Sequence, residues 1–175
     1  MLETAILGFL YDNSLHGYEL KQHIAMLTGH FRPVSDGALY PAISRLEKQG
    51  LLVKKQEAGK AGAPKQVMTL TEKGRAELLQ RLREPSDVYI SDRNRLFTIL
   101  AFLKYLDTSE QLRILKRRLE FIEGGKSFFT SGSKPVSYAQ EQDIFRKGML
   151  LLARETSRVE KQWLQETIKE LEKEC

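Results

Sequence analysis

The chain has 175 residues, of which 41% are hydrophobic and 29% charged, and its one cysteine, Cys175, excludes an internal disulfide framework and a four-thiolate zinc site. This length and apolar content predict one large globular domain or two small ones, and they exclude disorder as the main state. Because no run of 18 apolar residues occurs and no basic stretch precedes the first apolar segment, we expect no transmembrane helix, no secretory signal and a cytoplasmic location.

Two helices are predicted before residue 30. Residues 2–11 form a short apolar segment that ends at the polar run Asp-Asn-Ser. Residues 17–27 follow, with Leu20, Ile24 and Leu27 at spacings of four and three, which is typical of a helix with one buried stripe.

A third helix is predicted to begin at a cap formed by Ser35 or Asp36 and to continue to Gln49. Pro41 lies early in this helix, and proline is poorly tolerated beyond the first turn. The helix therefore either begins nearer Gly37 or bends at Pro41.

The pattern then changes to two short β-compatible runs, residues 51–55 and 67–70, separated by a turn-rich tip at residues 59–64. A fourth helix is predicted over residues 71–84, and a proline follows it. The order helix, helix, helix, hairpin, helix is that of a winged helix-turn-helix, which we assign to residues 1–85.

Residues 86–175 are predicted to form a second, helical domain, so that the whole chain is mainly α. Helices are predicted over residues 92–106 and 108–123, the second capped by its first threonine or serine. A loop follows over residues 124–137, and a long helix is predicted from Tyr138 to Glu174.

Apolar residues along the long helix recur at alternating spacings of four and three, and the stripe shifts by one position near Trp163. One copy of the chain offers few helices to cover this seam, so we expect a two-fold dimer, with packing inside one chain as the alternative. A dimer would also hold two recognition helices one turn of DNA apart, about 34 Å. The residues predicted for the dimer interface are Phe145, Met149, Leu152, Val159, Trp163 and Ile168.

The third helix has the two faces that insertion into a DNA major groove requires. Its stripe of Leu39, Ile43 and Leu46 faces inward, which leaves small and polar residues on the opposite face. Arg45 can pair with a guanine or with a phosphate, and the sequence leaves this choice open. The predicted DNA-binding residues, on the second helix, the third helix and the wing, are Tyr18, Lys21, Gly37, Tyr40, Ser44, Arg45, Lys48, Lys60 and Lys65.

Three strings in this region resemble motifs of the PadR family of transcriptional regulators. Residues 16–20, HGYEL, are similar to the opening of the second helix in that family. Residues 37–47, GALYPAISRLE, followed by Gly-Leu at 50–51, resemble its recognition helix, and residues 70–74, LTEKG, resemble the motif after its wing. The family's proline near the start of the recognition helix accounts for Pro41.

The resemblance implies a dimeric DNA-binding transcription factor, usually a repressor, that responds to a small molecule or a cell state. It implies DNA contacts for Tyr18, Tyr40 and Arg45, and the long helical C-terminal half resembles the larger subtype, in which that half forms the dimer. One departure is that Val67 and Met68 replace the tyrosine pair usual in the second wing strand, which puts contacts from that strand in doubt.

Catalysis, a metal site and a cofactor are not predicted. His16, His23 and His30 recur every seven residues, about 10.5 Å along a helix, which is too far for ligands of one ion. The sequence contains no Gly-rich phosphate loop, no HExxH and no nucleophile elbow. The alternative function is that of a winged-helix protein-interaction module that does not bind DNA.

A small aromatic effector is a further hypothesis, and if there is one we expect it between the DNA-binding and dimer domains. Phe121, Phe128, Phe129 and Tyr138 surround the loop at 124–137, where they either line a pocket or pin the loop. We interpret Trp163 as a residue of the dimer seam rather than as a stacking platform for a ligand.

Overall fold

A computed structural model of the chain describes residues 1–27, 34–57, 65–124, 130–131 and 134–173. The protein is mainly α-helical and divides into two compact units, Met1–Leu106 and Asp107–Cys175. Within the described residues, every helix is too short or too polar to span a lipid bilayer.

The first unit has the winged helix-turn-helix order that the sequence predicts. Its elements up to residue 83 are α1 (Leu2–Phe9), β1 (Leu15–His16), α2 (Gly17–Leu27), α3 (Asp36–Lys48), β2 (Leu52–Glu57), β3 (Lys65–Leu70) and α4 (Glu72–Arg83).

The core of this unit forms around α1, which packs against α2, α3 and α4. Each of these helices contributes apolar side chains at three- and four-residue spacings, so one stripe of each is buried. Burial of a leucine or isoleucine side chain stabilises the fold by about 1.5–3 kcal/mol. The buried side chains include Ile6, Leu7, Leu20, Ile24, Leu39, Ile43, Leu46, Leu78 and Leu82.

The wing is a three-stranded antiparallel sheet in the order β1-β3-β2 rather than the two-stranded ribbon of the prediction. The additional strand, β1, precedes α2 and pairs with β3, placing Leu15 opposite Met68 and His16 opposite Val67. Val67 and Met68 are both buried in this central strand. The departure at these two positions therefore supplies core packing rather than exposed contacts.

The C-terminal end of α3 and the N-terminal end of α4 meet at the base of the wing. The Thr71 side chain caps α4 by accepting from the Gly74 N–H at 3.0 Å, and its hydroxyl donates to the Gly50 carbonyl at 2.7 Å. Gly50 follows α3 with φ +72°, a left-handed conformation that favours glycine. A Cβ on Gly74 would lie 2.0 Å from the Leu51 carbonyl oxygen, so only glycine fits this approach.

Residues 87–106, which follow the boundary predicted at residue 85, also belong to the first compact unit. The Phe102 ring lies edge-on to Phe9 at 5.1 Å, and the Tyr105 ring lies 4.1 Å from that of Tyr11. These contacts join the segment to the C-terminal end of α1.

The single helix predicted over residues 92–106 is corrected to two shorter elements, α6 (Arg93–Leu100) and a 3-10 helix (Leu103–Tyr105), and another short helix, α5 (Asp87–Ser91), precedes them. The Asp92 side chain accepts from the Arg95 N–H at 3.1 Å and so caps α6, which starts a new helix at this point.

The second unit contains α7 (Thr108–Glu123), the short strands β4 (Thr130–Ser131) and β5 (Lys134–Pro135), and α8 (Ile144–Leu171). Asp107, rather than the predicted Thr108 or Ser109, is the N-cap of α7, and it forms a capping box with Glu110. The predicted long helix begins at Ile144 rather than near Tyr138, because Asp143 caps it by accepting from the Phe145 and Arg146 N–H groups.

A buried ion pair fixes α7 against α8. Arg118 donates from Nε to Glu160 Oε1 at 2.7 Å and from Nη2 to Oε2 at 3.0 Å, in a two-pronged geometry. Both side chains are buried, so removal of one partner would leave an uncompensated charge and cost about 3–5 kcal/mol.

We expect Gly74→Ala to destabilise the first unit by about 2 kcal/mol or more, because the added methyl collides with backbone that cannot move without disrupting the wing. Urea unfolding followed by circular dichroism measures the loss. The matched control is Gly37→Ala in α3, where a Cβ meets only the Ser35 hydroxyl at 4.0 Å and helix propensity gains up to about 1 kcal/mol. Equal stability of the two variants would contradict the close approach at Gly74.

The pKa of Asp12 is lowered by a hydrogen bond from Tyr105, and a second variant tests this cause. The Tyr105 hydroxyl donates to Asp12 Oδ2 at 2.7 Å, and this hydrogen bond is the main cause that lowers the pKa of Asp12. Burial, followed by the same hydrogen bond, raises the pKa of Tyr105.

We expect Tyr105→Phe to move the pKa of Asp12 back up toward its usual value, as NMR titration of the carboxyl carbon would measure. Since the folded-state pKa of Asp12 is depressed, its contribution is present above the usual aspartate pKa and is lost as the pH falls through the folded value. The stability difference between wild type and variant should therefore shrink on acidification. An unchanged Asp12 titration would show that the hydroxyl is not its partner.

Candidate nucleic-acid interface

The exposed face of α3 is the centre of the candidate interface. Leu39, Ala42, Ile43 and Leu46 are buried, which fixes the rotation of the helix about its axis. The opposite side carries predicted DNA-binding residues that are exposed, with Ser44 half-buried among them: Gly37, Tyr40, Ser44, Arg45 and Lys48.

Pro41 lies inside α3, which runs from Asp36 without interruption. Its first residue, Asp36, lies one residue before Gly37, the position near which the first of the two predicted alternatives starts the helix. Pro41 has no N–H to donate to the carbonyl four residues earlier, that of Gly37. Gly37, a small residue at the exposed start of α3, therefore has a carbonyl without its usual helical hydrogen-bond donor.

Tyr18, Tyr40 and Ser44 come together in a groove of about 330 Å³ between α2, α3 and the wing. Both tyrosines are exposed, at 55% for Tyr18 and 52% for Tyr40. Gly17 lies beside the Tyr40 ring, and a Cβ there would approach the hydroxyl to 3.2 Å. The groove thus combines hydroxyl groups and aromatic edges of the kind that contact phosphate and sugar.

The start of α2 is held by Glu19. Its carboxylate accepts from the His16 N–H at 2.8 Å and from the Tyr18 hydroxyl at 3.2 Å, and the backbone hydrogen bond is the main cause that lowers the pKa of Glu19. The same hydrogen bond from Tyr18 raises the pKa of that hydroxyl. Tyr18 therefore stays neutral near pH 7. A phosphate would compete with Glu19 for the hydrogen bond that the Tyr18 hydroxyl donates.

The predicted cations differ in their present partners. Lys21 Nζ lies 2.7 Å from Asp36, and Arg45 Nε lies 3.0 Å from Glu3. Lys48 is exposed and forms no ion pair with a described residue. Exposed ion pairs contribute little, about 0–1 kcal/mol, so Lys21 can exchange its carboxylate for a phosphate.

The wing lysines are the least defined part of the prediction. Lys60 lies outside the described residues, and Lys65 is placed as the first residue of β3.

Three polar residues of the groove, His16, Lys54 and Gln66, are not among the predicted DNA-binding residues. His16 Nδ1 lies 3.1 Å from the Gln66 carbonyl oxygen, and Lys54 Nζ lies 2.6 Å from Glu47. They reach the groove through the pairing of β1 and β2 with β3. A sequence pattern of two short β-runs does not give that register.

The predicted dimer residues lie along α8 in two different environments. Five of the six are exposed, from 80% for Phe145 to 42% for Trp163, and the other three are Met149, Leu152 and Val159. Ile168 is instead buried within the second unit, on the part of α8 that runs beside α7. Lys116 pairs with Glu172 and Lys161 with Glu123, so the two helices run antiparallel there.

The aromatic residues predicted around the loop at 124–137 have separate contacts. Tyr138 lies under two cations of α8, with Lys147 Nζ 5.1 Å and the Arg154 guanidinium 5.3 Å from the ring centre. Phe121 lies 5.3 Å from the Arg118 guanidinium. Phe128 and Phe129 fall outside the described residues. These contacts favour the interpretation that Tyr138 pins its segment to α8.

Comparison with known proteins gives a family match over the winged helix-turn-helix. The model of the transcriptional regulator PadR-like family matches residues 6–80. A transcriptional regulator of Mycobacterium tuberculosis is 41% identical over 78 residues, which cover 45% of this chain and 69% of that protein.

Two matches extend over nearly the whole chain. The negative transcriptional regulator PadR of Bacillus subtilis is 22% identical over 181 residues, covering 99% of both chains. A crystal structure of Bacillus subtilis PadR in complex with operator DNA aligns over 96% of each chain with a TM-score of 0.47 and 22% identity.

Proposed function

The chain belongs to the PadR-like family of transcriptional regulators, and on this premise we propose that it is a dimeric repressor that inserts α3 into the major groove of its operator. The observation that carries the proposal is the exposed face of α3, where Tyr40, Ser44 and Lys48 lie opposite a fully buried apolar stripe. The name of the Bacillus subtilis relative, a negative transcriptional regulator, supports repression rather than activation.

The groove between α2, α3 and the wing supports the expected docking mode. In helix-turn-helix proteins the recognition helix enters the major groove while the preceding helix crosses the backbone. Tyr18 and Lys21 in the first half of α2 are the residues that we propose for such backbone contacts, and Gln66 and Lys54 extend the polar surface onto the wing. Lys60 and Lys65 stay predicted wing contacts.

The exposed stripe of α8 supports a second copy of the chain as its partner. Five large apolar side chains on one face, spaced by three, four or seven residues, form a patch of the kind that water disfavours and interfaces cover. A two-fold axis along this seam would pair each residue with its own equivalent and would present two recognition helices to one operator.

The hypothesis of an aromatic effector stays a prediction. Trp163 is exposed at the end of the stripe, which fits its interpretation as a seam residue.

DNA binding is tested by titrating duplex DNA at several salt concentrations. We expect log K to fall linearly with log salt, and Lys48→Ala to reduce the slope by about 0.9 for each Lys48 that contacts a phosphate. Lys104→Ala, which removes an exposed lysine of the same unit outside the groove, should leave the slope unchanged. Negligible duplex affinity of the wild type at low salt would refute DNA binding and favour the protein-interaction module.

The dimer is tested by Leu152→Glu, measured by sedimentation equilibrium. Leu152 is 69% exposed in the single chain, so we expect the variant to fold and to sediment as a monomer, with operator affinity reduced at least tenfold. Gln165→Glu adds the same charge at an exposed position on the opposite face of α8 and should remain dimeric. A dimeric Leu152→Glu variant would exclude this face as the interface.

A further inference from the structure

Arg45 is held at one end of its guanidinium only. Its Nε donates to Glu3 Oε1 at 3.0 Å, while neither Nη group forms a hydrogen bond with a described residue. The side chain is 58% exposed. An arginine anchored through Nε keeps both Nη groups available for another partner, and these are the groups that can pair with guanine O6 and N7.

The position of Glu3 is itself fixed by α1 and by Arg81. It lies in the first turn of α1, where the helix dipole favours a carboxylate, and the following turn of α1 is buried. Its second oxygen, Oε2, lies 3.5 Å from Nη1 of Arg81 on α4. Arg81 in turn binds Glu77 through Nε at 2.7 Å. A chain of alternating charges therefore joins α4 through α1 to the exposed side of α3.

We propose that Glu3 is a positioning residue that orients Arg45 to read a guanine in each half-site, an inference that depends on the proposed DNA-binding function. A base edge accepts an arginine in one plane, whereas a phosphate accepts it from many directions. A long arginine side chain loses up to about 2 kcal/mol of rotamer freedom when it is fixed. Because Glu3 already restricts the Arg45 side chain before DNA binds, less rotamer freedom is lost on binding. This favours a contact of fixed orientation, such as one with a base edge.

The competing interpretation is that Glu3 acts as a decoy that occupies Arg45 until a phosphate replaces it. The two roles predict opposite effects of removing Glu3 on DNA affinity. Removal of a positioning residue weakens recognition of the correct sequence, whereas removal of a decoy strengthens binding to every sequence. Glu3→Ala therefore separates them in one measurement.

The experiment uses the full chain and a duplex recovered by the wild type from a random library, with a scrambled duplex as the non-specific reference. We expect Glu3→Ala to lower affinity for the selected duplex about tenfold while affinity for the scrambled duplex is unchanged or higher. Glu3→Gln keeps an oxygen acceptor for Arg45 Nε and should lose about threefold or less. In an Arg45→Ala background, Glu3→Ala should cause no further loss.

The matched control is Glu77→Ala, which removes the other carboxylate bound to Arg81 and leaves Glu3 and Arg45 in place. It should bind the selected duplex like the wild type, and thermal unfolding of each variant checks that the fold is intact. Library selection with Glu3→Ala and Arg45→Ala should lose preference at the same base position.

Three results would overturn the inference while DNA binding stands. They are an unchanged affinity of Glu3→Ala, an equal gain or loss on both duplexes, and a further loss in the Arg45→Ala background. If the wild type enriches no sequence and binds no duplex at low salt, the proposed function fails and this inference fails with it.

Discussion

The rotation of α3 about its axis is the constraint on which the rest of the first unit depends. Four buried side chains at spacings of three, one and three residues leave a single orientation against α1. Once that stripe is buried, Tyr40, Ser44 and Lys48 must face outward. The polar face of the helix is therefore set by hydrophobic burial, and the polar residues themselves contribute little to fixing it.

The family-like motifs mainly specify how elements close around α3. Gly74 permits the Leu51 carbonyl to approach α4, and Gly17 leaves room for the Tyr40 ring beside α2. Thr71 joins the end of α3 to the beginning of α4 through its hydroxyl. The motifs thus consist in good part of residues that bring the proposed contact residues together.

Periodicity predicted the helices and wing of the first unit because each has a local signal, such as the stripe of α3 or the cap at Thr71. Periodicity did not predict the features that depend on contacts between residues far apart in the sequence. Strand β1 is two residues long and exists only because β3 lies beside it. The helix predicted over residues 92–106 ends at Leu100, before the Phe102 ring that packs against Phe9, and the partners of Arg45 and Lys21 come from other helices. Lys54 and Gln66 were missed for the same reason, since strand register brings them to the groove.

The one-position shift of the apolar stripe near Trp163 marks a change in what covers α8. One residue turns a helix by about 100°, so Leu164 and Ile168 face a different direction from Phe145, Leu152 and Val159. The shifted residues are buried on the part of the helix that runs antiparallel to α7, whereas the earlier ones are exposed. A helix that used one continuous stripe would have to share it between its own chain and a partner. With two stripes, α8 is fixed to α7 by one face, and the other stays exposed, which is the face that we propose for a second copy.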